Sequence, residues 1–309
     1  MGGRRKPLQA RRETETMPDP DAALIFLHIP KTAGSTLSKI LQQHYSQAET
    51  VTLDLAGVAQ FKSRPLEQRA QYRLVHGHFY FGLHRFIPRP STYVTFLRHP
   101  IERAVSFYYY ARSKPDHYLY PLLSTGEIDL KTLLARGLTT ELHNDQTRML
   151  AGEEWEDPQR AVTVETLARA RENLRRHFRV VGLQEEFDAS VALLHRAFGW
   201  PMRSYTKQNV TKDKPLRQSL DLATRKLVEE KNSLDLELYE EARALFDERC
   251  RAEGDAFVAA LNKLRAGPGD GGSRSGALFR RILGWAGNSW SRKNRHLLAL
   301  CLAASSLAR

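Results

Sequence analysis

Residues 22–37 read AALIFLHIPKTAGSTL, and this stretch decides the fold. Ala22–Ile29 is a continuous apolar run of strand length, the pattern of a strand buried on both faces of a parallel sheet. Pro30 ends it. The turn Lys31-Thr32-Ala33-Gly34-Ser35-Thr36 then leads into a helix predicted over Thr36–Tyr45, with Leu37, Ile40 and Leu41 on one side. At such a strand–turn–helix junction the first helical N–H groups lack partners and the helix dipole favours negative charge. Gly34 lets backbone approach a ligand closely, Thr32, Ser35 and Thr36 add hydroxyls, and Lys31 adds a point charge. The expected ligand is a phosphate or sulfate group; the bland alternative is a turn with a solvated lysine. Because Lys31 precedes Gly34, the order G-x-x-x-x-G-K-[ST] is absent, which disfavours an ordinary ATPase or GTPase.

Strand candidates follow at Tyr72–His76, Thr92–Leu97 and Phe178–Gly182, and helix candidates at Ile101–Arg112, Arg160–Arg176, Phe187–Phe198 and, mostly, Leu216–Ala266. This alternation predicts an α/β fold: a single P-loop-like domain with a central, mostly parallel sheet flanked by helices. The expected boundaries are a disordered leader at 1–20, a catalytic domain at 21–266, and a Gly-rich linker with a basic amphipathic tail at 267–309. From Gly267 onward the chain carries seven Lys or Arg against one Asp. That tail reads either as a poorly ordered basic end or as a helix resting on a membrane or anionic partner.

The 309 residues contain 47 Lys or Arg against 35 Asp or Glu, a net charge of +12 that calls for an anionic partner without choosing one. Two cysteines, Cys250 and Cys301, cannot build a disulfide framework and suggest a reducing compartment. No apolar run reaches the roughly 18 residues of a spanning helix, and the N-terminus lacks the apolar stretch of a secretory signal. A cytoplasmic protein, with peripheral membrane contact through the tail, is the expectation.

A second anion-binding pattern is TFLRHPIERAVSFYYYAR at 95–112, where Arg98 ends a strand and Ser106 follows eight residues later on a helix. Arginine offers a forked, charge-assisted contact to phosphate and serine a hydroxyl donor. Between the two patterns lies LVHGHFYFG, with His76 and His78; further on comes VVGLQEEFDASVALL at 180–194. Together these resemble the carbohydrate sulfotransferases that use 3′-phosphoadenosine 5′-phosphosulfate (PAPS), most closely the heparan sulfate and uronyl 2-O-sulfotransferases, over roughly residues 22–260. The resemblance implies a 5′-phosphosulfate loop at Lys31–Thr36, a 3′-phosphate site at Arg98 and Ser106, a His-Gly-His at 76–78, and a strand–helix segment of the form VG-x-x-E-x-[FL]. It departs at His99, where the family has Asp. The membrane anchor and lumenal disulfides of animal members are not seen, which points to a bacterial-type soluble relative.

For sulfuryl transfer, histidine suits the role of base to the acceptor hydroxyl, its ordinary pKa of about 6.5 lying near working pH. In an extended segment His76 and His78 share a face, so both could reach one acceptor oxygen. Two imidazoles at this spacing also suit a metal pair, yet no third ligand has convincing spacing, and no metal is required. Lys31 would bridge the leaving phosphate and the sulfuryl oxygens. His28 reads as a packed histidine, His143-Asn144-Asp145 as a helix cap, and Asn209, Thr211 and Lys212 as a loop that could close over the nucleotide. The leading expectation is a PAPS-dependent O-sulfotransferase whose partner is a carbohydrate, including an acidic polysaccharide or a glycolipid, and not nucleic acid. The alternatives are a P-loop-like kinase, or a polysaccharide- or nucleic-acid-binding module without catalysis.

Overall fold

The computed structural model describes residue 19 and residues 21–152, 160–203, 205–206 and 220–265. The leader apart from Asp19, the Asn209–Lys212 loop and the 267–309 linker and tail lie outside the described residues.

In chain order the elements are β1 (Ala23–Leu27), α1 (Gly34–Gln42), β2 (Thr50–Leu53), α2 (Leu55–Ser63), α3 (Leu66–Ala70), β3 (Leu74–Gly77), β4 (Ser91–Leu97) and α4 (Pro100–Ser113). There follow α5 (Tyr120–Leu123), α6 (Leu130–Ala135), α7 (Asp145–Ala151), α8 (Val164–His177), β5 (Phe178–Leu183), α9 (Phe187–Ala197), α10 (Leu222–Lys231) and α11 (Ser233–Arg265), the last interrupted at Gly254.

The five strands form one parallel sheet in the order β2-β3-β1-β4-β5. β1 is central, and all five of its residues are buried, which is the physical reason for its unbroken apolar sequence. From β1 the chain winds toward β2 at one edge, whereas from β3 and β4 it winds toward the other. The reversal occurs at β1, so the loop after β1 opens at the switch point where sheets of this kind bind ligands.

β2 is not foreshadowed by the sequence: it has four residues at an edge, and only Leu53 is buried, so it carries little apolar signal. α1 begins at Gly34, ahead of the predicted start. Ala33 adopts a left-handed φ of 67° as its N-cap, and the Ala33 carbonyl accepts the N–H groups of Thr36 and Leu37. Among the described residues no helix is long and apolar enough to cross a membrane.

Candidate active site

The loop between β1 and α1 is tightly wound. Lys31 and Ala33 both hold positive φ, 71° and 67°, which costs non-glycine residues about 1–2 kcal/mol each. The Thr32 hydroxyl donates to the Ile29 carbonyl at 2.8 Å, and the residue is fully buried. Thr32 therefore closes the loop and does not offer its proton outward as the sequence suggested. No side chain caps α1 and no acidic residue stands in its first turn, so its positive end is open to an anion. The hydroxyl of partly buried Ser35 makes no hydrogen bond among the described residues, while Thr36 is buried. The Lys31 ammonium sits 3.5 Å from the centroid of the Tyr110 ring.

Gly34 matters for space. A Cβ there would stand 1.9 Å from Cδ2 of His28, so the close approach it permits is to an imidazole within the fold. Gly34→Ala should displace His28 and destabilise the protein by about 1–3 kcal/mol, the cost of overpacking. Thermal unfolding measures this, and an unchanged melting temperature would mean that His28 gives way freely.

The two histidines of the His-Gly-His segment are held differently. Gly77, the last residue of β3, has φ 138°, and a Cβ on it would meet the Leu53 carbonyl oxygen at 1.9 Å. Strand geometry ends there, so the face shared by positions i and i+2 does not extend to His78. His76 is buried with both ring nitrogens engaged: the Gln42 amide donates to Nε2 at 3.2 Å, Thr52 Oγ1 lies 3.0 Å from Nε2, and Nδ1 faces Ser38 Oγ at 3.2 Å. His78 is partly exposed. Its Nδ1–H donates to the His28 carbonyl at 2.7 Å, and its ring packs on the His28 ring at 4.2 Å. This bond fixes the tautomer and leaves Nε2 as a lone pair with no partner among the described residues. The expectation that both imidazoles serve one acceptor oxygen is corrected accordingly: only His78 presents an uncommitted nitrogen.

Burial pulls both rings below the ordinary imidazole range. At His78 the His28 carbonyl, Glu141 and Asp54 oppose that pull, and Lys31 adds to it. His28 is pulled lower still, by burial and by its histidine neighbours, so it stays neutral.

Arg98 ends β4, nearly buried at 6% exposure. Its Nη1 donates to the Lys31 carbonyl at 3.2 Å, tying the second anion pattern to the first, and its Nη2 lies 3.6 Å from Glu102. Its Nε is buried with no hydrogen-bond partner among the described residues. Ser106 is buried on α4, and its hydroxyl makes no side-chain hydrogen bond among the described residues. It stands one helical turn before Tyr110, so the Lys31 ammonium and Ser106 border the same stripe of α4.

Three supports were not foreseen. The Gln146 side chain clasps the Arg98 backbone, accepting its N–H at 3.0 Å and donating to its carbonyl at 2.9 Å. α7, which carries Gln146, is itself anchored by Asp235 of α11: this carboxylate accepts the N–H groups of Gln146 and Thr147 at 3.1 and 2.7 Å. Asn144 takes part by accepting the Asp235 N–H at 3.0 Å. Glu185 receives the His99 N–H at 2.8 Å and the Tyr239 hydroxyl at 2.9 Å, holding the turn between β4 and α4. The strand–helix segment at 180–194 thus has a physical purpose. Glu185 caps the start of α4, Phe187 packs on Phe96, and the Phe96 ring occupies the space a Gly182 side chain would need. No group of three His, Cys, Asp or Glu among the described residues could hold a metal ion.

The class of protein is thus an α/β domain: a parallel sheet flanked by helices, with a tightly wound loop at its switch point and a buried arginine joined to that loop. The galactose-3-O-sulfotransferase family model matches residues 3–267, and the chain belongs to that family of carbohydrate sulfotransferases. Among solved structures, mouse sulfotransferase SULT7A1 complexed with PAP is similar at 14% identity, over 80% of this chain and 90% of that one, with a TM-score of 0.35. No curated protein sequence matches the chain.

Proposed function

We propose that the protein moves a sulfuryl group from PAPS to a hydroxyl of a galactose-containing carbohydrate, with His78 as the base. The observation that carries this reading is the His78 imidazole, pinned through Nδ1 with Nε2 uncommitted, beside the Lys31 loop. Family membership supports the reaction class and the carbohydrate acceptor, and favours a galactoside over the uronic acid suggested by the His-Gly-His likeness.

The residues fit the donor. The buried, unpartnered Nε of Arg98 and the unbonded hydroxyl of Ser106 suit its 3′-phosphate, and the open α1 N-terminus with Lys31 and Ser35 suits its phosphosulfate. When bound, PAPS would supply the sulfuryl group, and 3′,5′-ADP would leave with the electron pair of the broken S–O bond on its 5′-phosphate. His78 Nε2 takes the acceptor O–H proton as that oxygen forms its bond to sulfur. Lys31, whose ammonium rests over the Tyr110 ring, supplies positive charge against the negative charge that develops on the leaving phosphate. Arg98 and Ser106 hold the far end of the donor so that attack is in line.

The test is transfer from labelled PAPS to a β-galactoside, together with its pH profile. Above its pKa His78 is neutral and accepts a proton; below it the ring is charged and cannot. Because burial lowers that pKa, the acid limb of kcat/KM should fall below the ordinary value of about 6.5. A rate that rises toward acid, or heparin binding without transfer and without any gain from 3′,5′-ADP, would refute the reading.

A further inference from the structure

Beside the Lys31 loop the fold builds an aromatic run that the chemistry above leaves unused. It starts at Tyr110, under the Lys31 ammonium, where His117 meets the Tyr110 ring edge-on at 5.7 Å. His117 in turn stacks on Tyr118 at 4.8 Å, with 24° between the rings.

Tyr118 is 63% exposed, a high value for so large an apolar ring, yet its hydroxyl is fixed. It donates to Oε2 of Glu141 at 2.7 Å and lies 2.7 Å from Thr139 Oγ1. The Glu141 backbone is steadied in turn, because buried Arg103 donates to its carbonyl. A tyrosine anchored at its tip and stacked on His117, with most of its surface still exposed, is ordered before any ligand arrives.

The charges along the run are graded. Lys31 and Lys114 lie over Tyr110, at 3.5 and 6.0 Å from its centroid, whereas Glu141 stands at the Tyr118 end. The basic end suits phosphate and sulfuryl oxygens. At the acidic end a carboxylate accepts hydroxyl protons and repels anions.

We propose that Tyr118 and Glu141 form the acceptor platform: the C–H face of a neutral hexose packs on the Tyr118 ring, and one of its hydroxyls donates to Glu141. The inference rests on the sulfotransferase reading for the identity of the neighbouring site and goes beyond it in naming the surface and its preference for an uncharged sugar.

The experiment measures binding of methyl β-galactoside by saturation-transfer NMR in the presence of 3′,5′-ADP, alongside steady-state kinetics. Tyr118→Ala should weaken galactoside binding and raise acceptor KM by about tenfold, the effect of losing an aromatic contact, with 3′,5′-ADP affinity unchanged. Tyr118→Phe, which keeps the ring and loses its anchor, should fall between the two. Glu141→Gln should weaken the galactoside and narrow its advantage over a glucuronide. Circular dichroism checks that the variants fold. Galactoside affinity unchanged in Tyr118→Ala, a wild-type preference for the glucuronide, or no galactoside binding by the wild type would each overturn the platform. Binding that responds as expected without sulfuryl transfer would refute the enzymatic reading and leave the platform standing.

Discussion

His78→Ala should lower the transfer rate by about 10²–10⁴-fold at saturating PAPS, the range for removal of a positioned general base. Affinity for 3′,5′-ADP should stay within about twofold, because the imidazole bonds to the His28 carbonyl and to none of Lys31, Arg98 or Ser106. The comparison that gives this result meaning is His76→Leu. His76 is buried among Ser38, Gln42 and Thr52, so its loss strands polar groups and should cost about 1–3 kcal/mol of stability. The two neighbours should therefore separate cleanly, one in kcat and the other in melting temperature. Isothermal titration with 3′,5′-ADP, initial rates and thermal unfolding on the two variants decide it. Turnover close to wild type in His78→Ala would remove the histidine mechanism and direct attention to Glu141, the carboxylate that acts on His78.

That separation is invisible in the sequence, and the reason is instructive. What could be read from the chain was what local pattern encodes. The apolar run at 22–29 follows from burial on both faces of a central strand, and the turn at 31–33 follows from a proline and a glycine placed between a strand and a helix. The arginine at the end of β4 and the serine two turns into α4 were legible for the same reason. Roles that depend on partners far along the chain were not. His76 is silenced by Ser38 and Gln42, 38 and 34 positions earlier, and by Thr52, 24 positions earlier. The period-two rule that would place His76 and His78 on one face fails at Gly77, whose positive φ no side-chain pattern announces. Gln146 lies 48 residues from the arginine it clasps, in a stretch whose short helices carry no strong periodicity. Even Gly34 was assigned to the right place for the wrong neighbour, since His28 fills the space that glycine leaves.

The same long-range bonds hold the proposed anion site in shape before any anion arrives. Two residues of the β1–α1 loop hold left-handed backbone, which persists only where the surroundings over-determine it. Thr32 ties the loop to Ile29, and Arg98 ties it to β4 through the Lys31 carbonyl. Arg98 is in turn fixed by Gln146, and Gln146 by Asp235 on α11. A helix late in the chain thus sets the position of a guanidinium at the switch point of the sheet. The donors are aimed in advance, and binding need not meet the entropic cost of arranging them.

Arg98→Ala should weaken 3′,5′-ADP binding by about 1.5–3 kcal/mol, or roughly 10- to 150-fold, the scale of a hydrogen bond to a charged group. In the protein the guanidinium is buried, and its Nε has no hydrogen-bond partner among the described residues. Burial disfavours its charge and draws its pKa down, against the support of Glu185 and Glu102. A phosphate supplies the acceptor that Nε lacks and adds negative charge to that of Glu102, so part of the binding free energy is relief of the cost of burying an unpaired donor. Arg98→Lys keeps the charge and loses the fork, and should recover only part of the affinity. Gln146→Leu leaves the guanidinium in place but releases the Arg98 backbone, and should weaken binding less than Arg98→Ala does. If Gln146 acts through Arg98, the double variant should bind no worse than Arg98→Ala alone, giving a coupling of about 0.5–3 kcal/mol in the double-mutant cycle. Additive losses would mean that Gln146 merely supports the fold. Unchanged 3′,5′-ADP affinity in Arg98→Ala would move the 3′-phosphate away from β4 altogether.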